Sequence, residues 1–244
     1  MNGTIAGITF RQLLGRRRVL LLLVLGAVLV LVALAYRLTG AGDEDVRWTA
    51  GLLENFGIAT LMPLVALVLG TGAIGAEIDD GTIVYILAKP ISRAVIVATK
   101  LAVAAVAAAV LTCGPILLAG VIAAGGMGDG LVLGFTLAAA IGSLLYAALF
   151  VALSLVTGRA LVFGLFYVLL WEGFLSALFA GTRTFSVRQH TLAFAEAIGD
   201  PPRDAFDASL DLLPALVVGG ALLVISVIVA VRRLRDFELR GEAA

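Results

Sequence analysis

Cysteine and histidine are nearly missing: Cys113 and His190 each stand alone in 244 residues. A single cysteine forms no intrachain disulfide, and inside an apolar run it leaves the redox compartment open. One histidine and one cysteine are too few for a His/Cys metal cluster, so no metal site is expected. Lysine occurs twice, as Lys89 and Lys100, and neither follows glycine. A phosphate-binding loop needs Gly-Lys-Ser/Thr, whose lysine reaches the nucleotide phosphates, so no such site is expected in this chain. HExxH and GxSxG patterns are also missing, which removes the familiar hydrolase chemistries. Charge of either sign is scarce. Asp, Glu, Lys and Arg form 14% of the chain and cancel to a net charge of zero, which gives no case for nucleic acid as a partner.

Apolar residues fill the space. They make up 61% of the chain, with a mean hydropathy of +1.12, against about 45–50% in a soluble domain. This is the composition of an all-α integral membrane protein with a single transmembrane domain over 1–244. Uncharged runs cover Val19–Tyr36, Asn55–Ala76, Leu101–Gly128, Gly130–Gly158 and Leu212–Val231, and a further run, Ala160–Thr182, is broken only by Glu172. About 20 residues at 1.5 Å each cross a hydrocarbon core of roughly 30 Å, and backbone amides without water must pair within helices. Six transmembrane helices are expected, at about 19–37, 54–76, 98–124, 131–157, 160–181 and 212–231.

The bases give an orientation. With both termini in the cytoplasm, the inner side carries Arg11, Arg16, Arg17, Arg18, Lys89, Arg93, Lys100, Arg159, Arg232, Arg233, Arg235 and Arg240, and the outer side Arg37, Arg47, Arg183, Arg188 and Arg203. A multi-pass protein of the cytoplasmic membrane is expected, with 232–244 as a cytoplasmic tail. "RRRVLLLLVLGAVLVLVALAY" also resembles a cleaved signal peptide, but its apolar run of 18 residues exceeds the usual signal core of about 7–15. Residues 1–18 alternate Ile5, Ile8, Phe10, Leu13 and Leu14 with polar residues, which suits an amphipathic helix in the inner interface. The competing reading is a disordered tail with stop-transfer arginines.

On the outer side, 37–54 reads as a polar loop with Trp48 as an interfacial anchor. "GGMGDG" at 125–130 reads as a tight glycine turn. Residues 183–211 set charges and Pro201–Pro202 among Phe185, Leu192, Phe194, Ile198 and Phe206, a mixture that fits interfacial or re-entrant helices better than a free loop. No internal repeat and no soluble domain stand out. "GTGAIG" at 70–75 matches a dinucleotide-loop spacing but lies at the end of a membrane helix, where close packing of small residues explains it. Asn2–Thr4 matches a glycosylation acceptor on the wrong side. Glu172, beside Trp171, has two readings: a functional acid at membrane depth in a substrate pathway, or an acid at the outer interface with Trp171 as its aromatic anchor.

"GAEIDDGTIVYILAKPISRAVIVATK", Gly75–Lys100, is the most unusual stretch. Glu77, Asp79 and Asp80 follow the second span and partly offset Lys89, Arg93 and Lys100. "TIVYILA" is too short to cross. Thr82 can cap a short helix after the flexible Gly81. Pro90 cannot continue it, and Ser92 can cap the next helix, which runs through Arg93 into the third span. A short cytoplasmic or interfacial helix hinged at Gly81 and Pro90 suits docking in a partner's groove; a purely topogenic loop is the plainer reading.

Glu77, the "DGT" at Asp80–Thr82, Leu87, the "KPISR" at Lys89–Arg93, and Lys100 together resemble the first cytoplasmic loop of ABC-2-type permeases, the membrane subunits of exporters whose ATPase is a separate chain. The six spans, cytoplasmic termini and elaborate link before the last helix agree with it along the whole chain. Lys89 directly before the proline and the charged Glu172 depart from the ordinary pattern. The resemblance implies that 82–88 is a coupling helix set in a cleft of the ATPase. Gly81 and Pro90 would set its angle, Ile83, Tyr85, Ile86 and Leu87 would anchor it, and Glu77, Arg93 and Lys100 would fix polar register. Asp80, Thr82 and Ser92 complete the coupling set.

It also implies that ATP and magnesium are bound by a pair of ATP-binding subunits, with no cofactor in this chain. Two permeases then work together, as a homodimer or with a related permease; Ala138 and Gly142, or Gly219 and Gly220, are small enough for close helix contacts. The expected function is outward transport by alternating access. The alternatives are an ion-coupled secondary carrier, which ordinarily has several intramembrane acids or a repeat, and a membrane assembly factor, which would leave no signature.

Overall fold

A computed structural model describes residues 3–13, 15–40, 45–88, 90–128, 130–178 and 180–241, and every regular element among them is helical. Lys89 lies outside these residues. The chain begins with α1 (Gly3–Leu13), whose Ile5, Thr9 and Leu13 are buried while Ile8 and Phe10 are exposed. The N-terminal segment is thus helical, with its apolar residues divided between a buried and an exposed face.

The first long helix, α2 (Arg16–Leu38), leaves most of its leucines and valines uncovered. Gly26 is the point where it meets the bundle. A Cβ there would lie 2.6 Å from the Pro115 Cγ, so only glycine lets the helix close on that proline. The second long helix begins earlier than expected. It comprises α3 (Asp45–Leu52), a π-helical segment (Leu53–Leu61) and α4 (Met62–Asp79), and part of the predicted 37–54 loop is therefore helix. Trp48 helps to fix this start by stacking on Tyr36, ring centroids 3.6 Å apart and planes 3° from parallel. The wide π turns have a local cause. Pro63 lacks an N–H and its ring crowds the carbonyl four residues back, and the chain responds by pairing the Met62 N–H with the Gly57 carbonyl, five residues away.

A five-residue helix, α5 (Ile83–Leu87), precedes α6 (Arg93–Ala124) and α7 (Leu131–Val156). The turn between α6 and α7 uses Gly125, Gly128 and Gly130 at φ of 67°, 57° and 90°, the left-handed conformation that glycine adopts freely. Next come α8 (Ala160–Phe166), a second π-helical segment (Tyr167–Leu175), α9 (Ser176–Leu178) and a 3₁₀ turn at Ala180–Phe185. The last elements are α10 (Val187–Gly199) and α11 (Leu212–Gly241), so the expected tail from 232 continues the final helix.

Among the described residues five helices are long and apolar enough to cross a membrane: Val19–Leu38, Val46–Asp79, Arg93–Ala124, Leu131–Val156 and Leu212–Asp236. The run expected to cross at 160–181 forms a shorter apolar helix, Ala160–Leu175. An α-helix of that length reaches about 24 Å, less than the roughly 30 Å of a hydrocarbon core. The middle helices form the core: α7 packs against α4, α6 and α10, while α2 and α11 lie outside. Gly70 shows how closely they meet, since a Cβ there would stand 2.9 Å from the Phe150 Cβ. This is a multi-pass helical membrane protein.

Candidate functional site

Two polar clusters interrupt the apolar bundle, one at each end of α4. At the α5 end, α4 stops in a glycine turn: the Asp80 and Gly81 N–H groups donate to the Ala76 and Ile78 carbonyls, and Gly81 takes φ +67°. A side chain at Gly81 would strain that turn. The Thr82 hydroxyl points back toward the Glu77 carbonyl, 3.5 Å away, and does not cap α5. Ser92 sits at the start of α6 as expected, but its carbonyl and not its hydroxyl receives the first N–H groups, from Val95 and Ile96. Pro90 is exposed in the bend between the two helices.

Polar register comes from three side chains. The Arg93 guanidinium donates to the Leu87 carbonyl at 3.0 Å, closing the open end of α5 onto the head of α6. Glu77 and Lys100 lie beneath this loop, on α4 and α6. Their side chains meet at 2.6 Å and are almost completely buried, and the Lys100 ammonium also donates to the Ala73 carbonyl at 2.8 Å. The pair is thus a clamp between two long helices and offers nothing to a partner's surface. Asp79 and Asp80 remain exposed.

Four apolar side chains of α5 divide, while that of Ile86, another expected anchor, lies outside what is described. Ile83 turns inward and is buried, and Leu87 packs partly on the core. Val84 and Tyr85 face outward, 62% and 76% exposed. Val84 therefore replaces Ile83 in the outward anchor set drawn from the sequence. A period of two or three cannot be told apart over seven residues, so only the fold decides which side chains point out.

Beside this loop lies a cavity of about 370 Å³, between the α5 end of α4 and the turn from α7 into α8. Val68, Ile78, Leu161 and Val162 give it apolar walls, Gly72, Gly75 and Ala76 provide room, and Thr71, Ser154, Asp79 and Arg159 bring polar groups. Two glycines of the "GTGAIG" stretch thus line open space, while Gly70 serves close packing.

At the opposite end stands Glu172. Ala160, Gly164, Val168, Glu172 and Ser176 form one buried stripe, every fourth residue, along the helix that starts at Ala160. Glu172 therefore faces the bundle, away from lipid. Its Oε1 accepts from the Tyr167 hydroxyl and the Val187 N–H, each at 2.9 Å, and its Oε2 accepts from the Ser186 hydroxyl. Trp171, next to it, is half-buried, with its indole nitrogen turned inside. Ser186 also caps α10 by accepting from the Gln189 N–H. Two residues further along, Arg188 Nη2 pairs with Glu54 Oε1 at 2.9 Å. Tyr167, Ser186, Arg188 and Glu54 carried no signal in the sequence. They gather only when α10 folds back on the bundle, and the capping-type Ser186 was the sole local hint.

The family model for ABC-2 family transporter proteins matches residues 13–187, which include the whole α5 loop, its Glu77–Lys100 clamp and both π-helical segments. The chain belongs to the ABC-2 transporter family. No curated protein matches it. Within the matched region α4 and α6 are joined through the short helix α5. Among the described residues no group of His, Cys, Asp and Glu has the geometry to hold a metal. The small-residue positions Ala138 and Gly142 are used within the chain: a Cβ at Gly142 would meet Met62 Sδ at 2.6 Å. They are unavailable to a second copy. Gly220 has open space around it.

Proposed function

We propose that this chain is the permease subunit of an ATP-driven exporter of the cytoplasmic membrane, with both termini inside and α5 as the coupling helix. The observation that carries the reading is the exposure of Val84 and Tyr85 on a five-residue helix whose base is clamped by buried Glu77 and Lys100. Two exposed apolar side chains on a charged loop suit a groove on a partner, where aromatic anchors contribute most. The partner is a pair of ATP-binding subunits, which hold ATP and magnesium. Their closure presses on α5, and the Glu77–Lys100 clamp passes the displacement to α4 and α6 together, so the helices tilt as a unit.

Two ATP-binding subunits take two permeases, a second copy of this chain or a related one. Cargo enters the cavity between α4 and α8, whose apolar walls and exposed Asp79 and Arg159 favour an amphipathic molecule, and leaves at the α10 end by alternating access. In this reading Ala160–Leu178 completes a sixth crossing. Glu172 is engaged by three donors, which supports a positioning role over that of a secondary carrier's ion-binding acid.

The test is to co-express Val84→Asp/Tyr85→Asp with the ATP-binding subunit. The expected outcome is loss of co-purification and of cargo-stimulated ATP hydrolysis, with helical content unchanged. Undiminished co-purification and turnover would sink the coupling role.

A further inference from the structure

The two helices that line the cavity at one end share a second peculiarity at the other. Both open into wide turns, over Leu53–Leu61 and over Tyr167–Leu175. Each wide segment carries one acid, Glu54 in the first and Glu172 in the second. Both acids reach the same place, the first turn of α10. Glu172 takes the Ser186 hydroxyl and the Val187 N–H, and Glu54 takes the Arg188 guanidinium. Three consecutive residues thus moor two separate helices.

The mooring point is itself rigid. α10 packs chiefly on α7, at positions where α7 has glycine: a Cβ at Gly134 would lie 2.8 Å from the Gly199 Cα. Contacts this close leave α10 no room to slide, since a packed interface does not deform continuously. The wide segments are different. π turns occur in short stretches and frequently at functional sites, and here they are held to α10 by directional polar bonds. At their other ends α4 and α8 border the 370 Å³ cavity, just beyond the point where Leu67 closes on Gly164. The same two helices therefore flank a cavity toward α5 and are moored to α10 at the opposite end.

We infer that Glu54 and Glu172 are positioning residues of a latch. Their bonds to Ser186, Val187 and Arg188 keep the α10 end of the two cavity-lining helices closed, and that end opens when the bonds let go. The two ties are unequal. Glu172 is buried, and its carboxylate sits at a helix N-terminus where free N–H groups and the dipole favour it. The Glu54–Arg188 pair is 31% and 16% exposed, so water weakens it. Glu54–Arg188 opens first and Glu172 last. The use of the latch rests on the permease reading above, but its geometry does not.

The experiment measures access, with no nucleotide, cargo or partner present. In a Cys113→Ala background, Val168→Cys reports from the buried stripe one turn from Glu172, and Thr157→Cys reports from the cavity. Each is labelled with a membrane-impermeant maleimide, position 168 in right-side-out vesicles and position 157 in inside-out ones. In Glu54→Gln/Glu172→Gln the rate at position 168 should rise on the order of tenfold or more, the shift expected from losing charge-assisted hydrogen bonds, while position 157 keeps its rate. Glu54→Gln alone should give a smaller rise, and the exchange Glu54→Arg/Arg188→Glu should restore the protected rate. If Glu172→Gln does not reach the membrane, Ser186→Ala with Arg188→Gln removes the two side-chain ties from the α10 side and leaves only the Val187 N–H bond, so a smaller rise at 168 is expected. An unchanged rate at 168, a parallel rise at both reporters, or a charge exchange no better protected than Glu54→Gln would overturn the latch. Failure of the permease reading would show instead as α5 variants that leave ATPase binding intact, so the two outcomes are separable.

Discussion

Glu77–Lys100 and Glu54–Arg188 are both acid–base pairs between distant parts of the chain, at opposite ends of the same long helix. The first is closed at 2.6 Å with both side chains almost wholly buried; the second meets at 2.9 Å with a third of Glu54 in the open. Burial changes what each pair can do. A charge pair out of water is costly to part, because either partner left alone is an uncompensated ion, whereas a pair in contact with water separates cheaply. The first pair is suited to carrying force without yielding. The second is suited to letting go. In the permease reading proposed above, a push at one end and an opening at the other would give both pairs a use.

The contrast can be broken by substitution, and the largest effect falls on the buried clamp. Lys100→Met should destabilise the folded protein by about 3–5 kcal/mol, since Glu77 would be left charged and unpaired among apolar helices. Thermal unfolding in detergent measures it, and adding Glu77→Gln should recover most of the loss. A single variant as stable as the parent would mean that Glu77 is not held as a charge.

Next in size is the seat of α10. Gly134→Val should cost about 1–3 kcal/mol, because its side chain would press on the Ala195 and Gly199 backbone. Limited proteolysis of the 183–211 region should accelerate with it. Ser186→Ala removes a cap and a bond to Glu172 together, and a loss of about 1–2 kcal/mol is expected by the same unfolding assay. The smallest effect belongs to the exposed tie: Glu54→Gln should cost under about 1 kcal/mol and weaken further in importance at high salt. If Glu54→Gln proved as damaging as Lys100→Met, the division into clamp and latch would collapse.

Much of the architecture could be read without coordinates. Long uncharged runs require helices in a membrane, because the backbone has no other partner there. Gly81, at φ +67°, and the glycines of 125–130 mark turns that only such residues make easily. The α5 loop stood out because charges and a proline between two apolar runs have few explanations. Other features were hidden for definite reasons. A π turn adds a residue without altering composition, so neither wide segment was foreseen, although Pro63 supplied the cause of one. Glu172 stood out as the lone acid in its run, but its donors lie up to 15 residues away, across a turn. Glu54 and Arg188 are separated by 134 residues, and nothing local pairs them.

Composition and the order of apolar runs by themselves determined that this chain lives in a membrane as a bundle of helices, because the cost of an unpaired amide in hydrocarbon acts on every residue alike. Which side chains face one another was decided by the tertiary structure alone. Ile83 turned inward and Val84 outward, Lys100 found Glu77, and two acids met one helix end, because pairing energies depend on separations of a few ångströms that exist only once the helices have packed.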